Sequence, residues 1–190
     1  MKDYEELYYE SRSKYYNACE QINACDRMIT SCQEQRRSKV DRINELNSSN
    51  RKIRDAIANL KEVLKREDKV TEKLSKVSEK LDTASVNFAG MVKDSNVSNK
   101  SLTDVFSGET SGTKTAISGV FETVKTRKTA LETNLENQER ELQRTKDELF
   151  DLDTQIRNWK NVRSDWKREK TNSYYNMEYY KRKMNEEGYY

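Results

Sequence analysis

The side chains most able to do chemistry are three cysteines, Cys19, Cys25 and Cys32, and the sequence has no histidine at all. A zinc site needs four ligands converging on one point, and three thiols spread along one helix cannot supply them. Nucleophilic catalysis needs a base beside the nucleophile, and the usual base is missing. The carboxylates sit among lysines at helical spacing, the pattern of solvated i,i+4 pairs. Ser107-Gly-Glu-Thr-Ser-Gly-Thr-Lys114 has the composition of a phosphate loop. It lacks a Gly-Lys pair and a preceding strand, so it does not fit the nucleotide-binding pattern. The residues therefore point away from an enzyme and predict no cofactor, no metal and no small-molecule substrate.

The remaining distinctive side chains are aromatic. All eleven tyrosines lie at the two ends, from Tyr4 to Tyr16 and from Tyr174 to Tyr190. Trp159 and Trp166 stand just before the second cluster. Tyrosine buries a ring while keeping its hydroxyl wet, and exposed Tyr and Trp mark interfaces. Tyr8, Tyr15, Trp159, Trp166 and Tyr180 are accordingly the candidate partner contacts. Charge follows the same split. Residues 1–10 carry Asp3, Glu5, Glu6 and Glu10 against Lys2, whereas Arg157 to Lys183 is strongly basic. Acid at a helix start and base at a helix end both suit the macrodipole.

Two long elements must position these ends. Four of the five glycines (Gly90, Gly108, Gly112, Gly119) lie among Ser, Thr and Asn in one central stretch, and proline is absent. Glycine supplies the positive φ that ends a helix, and Ser, Thr and Asn supply caps. The spacing predicts a first helix over about 3–83, a reversal over about 84–114 and a second helix over about 115–187. A single heptad register runs unbroken through the first. Its a positions include Tyr8, Tyr15, Ile22, Ile29, Arg36, Ile43, Asn50, Ile57, Leu64, Thr71 and Ser78, and its d positions include Ala18, Cys25, Cys32, Lys39, Leu46, Ile53, Leu60, Glu67 and Leu74. In the second helix the seam runs through Phe121, Lys128, Leu135, Leu142, Leu149, Ile156, Arg163, Lys170, Met177 and Met184. The alternate positions include Ile117, Val124, Leu131, Gln138, Thr145, Leu152, Trp159, Trp166, Ser173 and Tyr180. The fold class is all-α: a long antiparallel two-helix coiled-coil hairpin with a Gly/Ser/Thr-rich central reversal, forming a single elongated domain over 1–190. Folding about residue 100 brings the tyrosine clusters side by side. Cys25 and Cys32 are packing residues at d, and Asn50 at a fixes register at some cost in stability. Arg36, Lys39 and Glu67 snorkel from a loosened seam, which a partner's helix could cover.

Composition agrees with a thin core. Charged residues make up 36 % of the chain, the hydrophobic set only 33 %, and mean hydropathy is -1.14. A seam needs only about two apolar positions in seven, so such a chain can pack as paired helices where it could not fill a globule. The net charge of +3 comes from 36 basic and 33 acidic residues interleaved along both helices, which argues against nucleic acid. No apolar run is long enough to span a membrane, and Met-Lys-Asp-Tyr-Glu-Glu is no signal peptide. Free thiols fit a reducing cytoplasm, and export would use a route without a cleaved leader.

Two short motifs carry a family resemblance. Val105-Phe106-Ser107-Gly108 is an aromatic-x-Gly in the central stretch, and Tyr174-Tyr175-Asn176-Met177-Glu178 is a Tyr-x-x-x-Glu near the end. Together they resemble the WXG100-like proteins and the LXG-associated helical partners of bacterial type VII secretion. That resemblance implies Phe106 and Gly108 as the turn of a helical hairpin and Tyr174 with Glu178 as part of an export signal. It implies a targeting factor or co-secreted partner that binds the helical domain of an effector or forms a homodimer. The chain departs from the pattern in having Phe for Trp and about twice the usual length. The other readings are a generic coiled-coil scaffold or spacer and an adaptor for anionic surfaces through the basic end of the second helix.

Overall fold

The computed structural model describes residues 3–91 and 99–186. These residues form three α-helices and no strand: α1 (Tyr4–Leu64), α2 (Glu67–Met91) and α3 (Asn99–Glu186). The all-α class expected from the sequence is therefore observed, with α1 and α2 both packing against α3. The heptad pattern explains why. Of the α1 and α2 seam positions named above only Thr71 is exposed, and none of those on α3 is.

Two expectations need correction. The first helix is not continuous over 3–83. It bends at Lys65 and Arg66, where the Arg66 N–H reaches back only to the Val63 carbonyl (3.1 Å), one tight turn between longer α-helical runs. No glycine or proline causes this. Past Leu64 the seam offers Glu67 and then an exposed Thr71, so apolar packing no longer holds the register. Glu67 and Asp68 also suit the start of a new helix.

The second correction concerns the reversal over 84–114. α2 carries on to Met91 and α3 already begins at Asn99, so Phe106 and Gly108 lie within a helix and not at a turn. What remains of the expected reversal, 92–98, lies outside the described residues. The physical reason is local. Hydroxyls that read as caps in the sequence bond back to carbonyls one turn earlier: Thr113 to Glu109 (2.9 Å), Thr115 to Ser111 (3.0 Å) and Thr123 to Gly119 (2.8 Å). Gly108, Gly112 and Gly119 have no left-handed backbone, and a methyl group on any of them would meet open space.

The chain divides into two compact units. The first pairs Met1–Leu46 with Glu141–Tyr190. Ala18, Cys25, Ile29, Cys32 and Leu46 are buried on its α1 side, and Leu152, Ile156 and Met184 on its α3 side. Cys32, Leu152 and Ile156 form a cluster with Trp159 packed against it. Burying a Leu or Ile contributes about 1.5–3 kcal/mol, so Leu152 and Ile156 make this cluster an apolar hold between α1 and α3. Its helices run antiparallel: Asp26 meets Arg163, Arg36 meets Asp153 and Lys39 meets Glu148, each at 2.6 Å.

The second unit is Asn47–Arg140. Ile53, Ile57 and Phe121 are buried in it. It is also antiparallel, with Arg54 against Glu139 at 2.5 Å, Lys61 against Glu132 at 3.9 Å and Glu67 against Lys125 at 3.0 Å. Asn50 is only 2 % exposed, and neither polar atom of its side chain finds a partner. An unsatisfied buried amide costs about 1–3 kcal/mol, the expense expected of a register-fixing residue in a helical seam.

The helical placement of Gly108 yields a direct test. Gly108→Ala should raise stability by about 0.5–1 kcal/mol, because alanine fits an open helical site and loses less backbone entropy. A thermal melt followed by circular dichroism measures this. A fall in melting temperature would mean that Gly108 occupies a turn.

Candidate interaction surface

The first unit collects the aromatic residues that the sequence places at opposite ends of the chain. The Tyr4 ring stacks on that of Tyr180 (centroids 6.4 Å apart), and Tyr15 meets Tyr174 at 6.1 Å. Both contacts join α1 to α3, and they follow from the antiparallel register that the ion pairs set. Neighbouring rings turn edge-on to these: Tyr8 with Tyr9, Tyr15 with Tyr16, Tyr174 with Tyr175 and Tyr179 with Tyr180. The two contacts between helices each add about 0.5–1.5 kcal/mol beyond simple burial.

Two layers result. Tyr4, Tyr8, Tyr15 and Tyr180 are half-buried, and of these Tyr4, Tyr15 and Tyr180 make ring contacts between the helices. Tyr9, Tyr16, Tyr174, Tyr175 and Tyr179 remain exposed, Tyr175 to 66 % and Tyr174 to 45 %. Cations lie over the rings: Lys170 Nζ is 5.4 Å from the centre of Tyr15 and the Arg12 guanidinium 5.7 Å from that of Tyr16. This brings the basic end of α3 onto the aromatic patch and fixes where its charge points. Lys183 donates to Glu186 (2.6 Å), and that bond and charge hold its ammonium above the ordinary lysine range. Tyr179 and Tyr4 add to the effect. The ammonium thus stays charged beside the rings.

The candidate residues fall into different places. Tyr15 and Tyr174 are brought into contact, and Tyr180 is brought to Tyr4. Tyr8 touches Tyr9 on its own helix. Trp159 packs on the Cys32 cluster, so its ring is used inside the unit. Trp166 is half-buried and walls an open depression with Lys14, Asn17, Asp165 and Glu169. Glu178 is half-buried, one turn beyond Tyr174 on α3, and its carbonyl accepts from Arg182 Nε (3.4 Å). Phe106 and Gly108 lie in the other unit. The thiols are free, with Cys25 and Cys32 buried and Cys19 half-buried.

The seam charges are where sequence reading fell short. Arg36, Lys39 and Glu67 were expected to snorkel from a loosened seam. Each instead meets an opposite charge on α3: Asp153, Glu148 and Lys125. The signal lay in the sequence as opposite charges at matched distances from the two ends, but the register was needed to use it.

Among the described residues no group of three or more His, Cys, Asp or Glu is placed to hold a metal, and no helix is long and apolar enough to cross a membrane. Comparison with protein-family models, with curated proteins and with solved structures finds no match for this chain.

The two layers should separate on mutation. Tyr15→Ala removes a ring that touches Tyr16, Tyr174 and Lys170, and should cost about 1–2 kcal/mol, within the usual range for losing packed contacts. Tyr175→Ala should stay within about 0.5 kcal/mol of the parent, because its ring is mostly in water. Urea unfolding of both variants makes the comparison, and equal losses would remove the distinction.

Proposed function

We propose that the chain is a non-enzymatic helical interaction protein. Its antiparallel helix pairs make up a long two-helix coiled-coil hairpin, and its aromatic end is the partner-binding surface. The observation that carries this reading is the exposed layer of tyrosines resting on a half-buried one, rimmed by cations. Tyrosine side chains of this kind are rigid, amphipathic and enriched at binding hot spots. Tyr9, Tyr16, Tyr175 and Tyr179 make ring contacts only to the adjacent tyrosine, with Arg12 over Tyr16, and about half or more of each stays exposed for a partner.

Within that class, the reading carried forward is a targeting factor or co-secreted partner of a type VII secretion effector. It is supported by Tyr174 and Glu178, one helical turn apart on α3, with the Tyr174 ring 45 % exposed although it leans on Tyr15. A joint aromatic and acidic face is what a receptor could read. The partner is then the helical domain of an effector or a second copy of the chain, met in the cytoplasm before any export. A second reading, a coiled-coil scaffold or spacer, is favoured by one specific observation. Phe106 and Gly108 sit within α3, so the motif that resembles a hairpin turn does not form one here.

Tyr174→Ala and Glu178→Gln separate the two. As a secretion partner, the protein should lose export or co-purification with a neighbouring effector by roughly thirtyfold in affinity, the equivalent of about 2 kcal/mol at an interfacial tyrosine. Helix content should change little, since alanine is a good helix former at a half-exposed site, and the loss of stability from the Tyr15 contact should stay below that of Tyr15→Ala. Unchanged binding and export with unchanged melting would favour the scaffold.

A further inference from the structure

The second unit has two unlike flanks. In antiparallel helix pairs the e positions of both helices share one flank of the seam and the g positions share the other. With Asn50, Ile57 and Leu64 at a, the e flank is Arg54 and Lys61, and both are paired across to α3 through Glu139 and Glu132. The g flank carries no charge on this side. It reads Ala56, Val63, Val70, Val77 and Ala84 at strict heptad spacing. Ala56 and Val70 are half-buried, while Val63 and Val77 are 42 % and 50 % exposed. On α3 the g residues alongside are Val120, 60 % exposed, and then Arg127 and Asn134, both exposed. The pairing of Lys125 with Glu67 places Val120 between the levels of Val70 and Val77.

Apolar residues at a and d alone suffice for a helix that meets one neighbour. A third apolar position in each heptad is the pattern of a helix that meets two. The flank is β-branched and small, free of the Trp, Phe and Leu that anchor interfacial membrane helices. That favours a packed helix over a lipid surface.

The rim names the chemistry of the occupant. Beyond the g stripe the c positions are Lys52, Arg66, Lys73 and Lys80, all exposed. Lys52, Lys73 and Lys80 form no ion pair among the described residues, in contrast to Lys61 and Lys125 on the seam, and Arg66 exerts only a longer-range pull on Glu62. From residue 109 on, the c positions of α3 in this unit are Glu109, Ala116, Thr123, Ala130 and Asn137, so a second copy laid flank to flank would bring one acid to four bases.

We infer that the g flank of the second unit, Val63, Val70 and Val77 with Val120, docks a third helix from another protein, one whose apolar stripe is flanked by Asp or Glu. This rests on the reading of the chain as a helix-binding protein, but on no particular export pathway, and it uses a different unit from the tyrosine patch. The probe is a fluorescent four-heptad peptide with Leu and Val at a and d and Glu at the flanking positions, beside a sister peptide with Lys there. Titrated against the full chain by anisotropy, the Glu peptide should bind at least about tenfold more tightly than the Lys peptide, the discrimination expected of complementary rims. Lys73→Glu with Lys80→Glu should reverse that preference, and Val77→Glu should weaken the Glu peptide by a similar factor. Both variants change exposed residues, and circular dichroism should show the helices intact. Tyr174→Ala should leave peptide affinity unchanged, so loss of the secretion reading and loss of this one are told apart. Equal affinity for both peptides, or no binding to either, overturns the inference. So would capture by phosphatidylserine vesicles in place of the peptide, or concentration-dependent self-association abolished by Val77→Glu.

Discussion

The structure depends on a narrow seam in which charge has to be matched across the helices. The apolar positions are too few and too small to hold long helices alone. Cys25, Cys32, Ala18 and the buried Ser11 and Ser173 offer little area compared with a leucine seam. The ion pairs that supplement them are half-exposed, and each contributes about 0.2–1 kcal/mol. Their chief effect is to choose the register. Sliding α3 by one heptad in the first unit would set Arg36 against Lys146 or Lys160 in place of Asp153. In the second unit, a slip in one direction sets Lys61 against Lys125, and a slip in the other sets Glu67 against Glu132. Like charges facing each other are penalised whichever way the helices move, and the native pairing is left as the consistent one.

Everything at the aromatic end follows from that register. Tyr15 reaches Tyr174, and Tyr4 reaches Tyr180, because Asp26 with Arg163 and Arg36 with Asp153 have already aligned the helices. The inner rings are then used up in holding α1 to α3, and the outer ones are left facing water. Bracing of this kind between α1 and α3 would lower the entropy cost of the binding proposed for this surface. The cations over Tyr15 and Tyr16 give the same surface a positive edge.

Much of this was legible in the sequence. The heptad positions of α1 and α3 predicted which residues turn inward, and the pairing of the two tyrosine clusters followed from them. Two kinds of feature were not legible. The bend at Lys65 and Arg66 carries no glycine or proline, since it arises where the seam weakens and not where the backbone is special. The helical state of 99–114 was hidden for the opposite reason. Thr113 and Thr115 look like cap formers by residue type, yet their hydroxyls bond to carbonyls of their own helix, and Gly108 and Gly112 stand in open space with ordinary helical backbone. Residue type gives a propensity, and tertiary contact decides how it is used. The same holds for Arg36 and Lys39, whose meaning depended on partners more than one hundred residues away.

Charge-matched register is the central claim, and a zero-length carbodiimide cross-linker reads it directly on the unaltered chain. The reagent joins a lysine to a carboxylate only where the two are already in contact. Applied to an equal mixture of isotopically light and heavy protein and analysed by mass spectrometry, it should yield Lys39–Glu148 and Lys125–Glu67 links within single isotopic species. Links from Lys39 or Lys125 to carboxylates one heptad away, or light–heavy products at these same pairs, would contradict it.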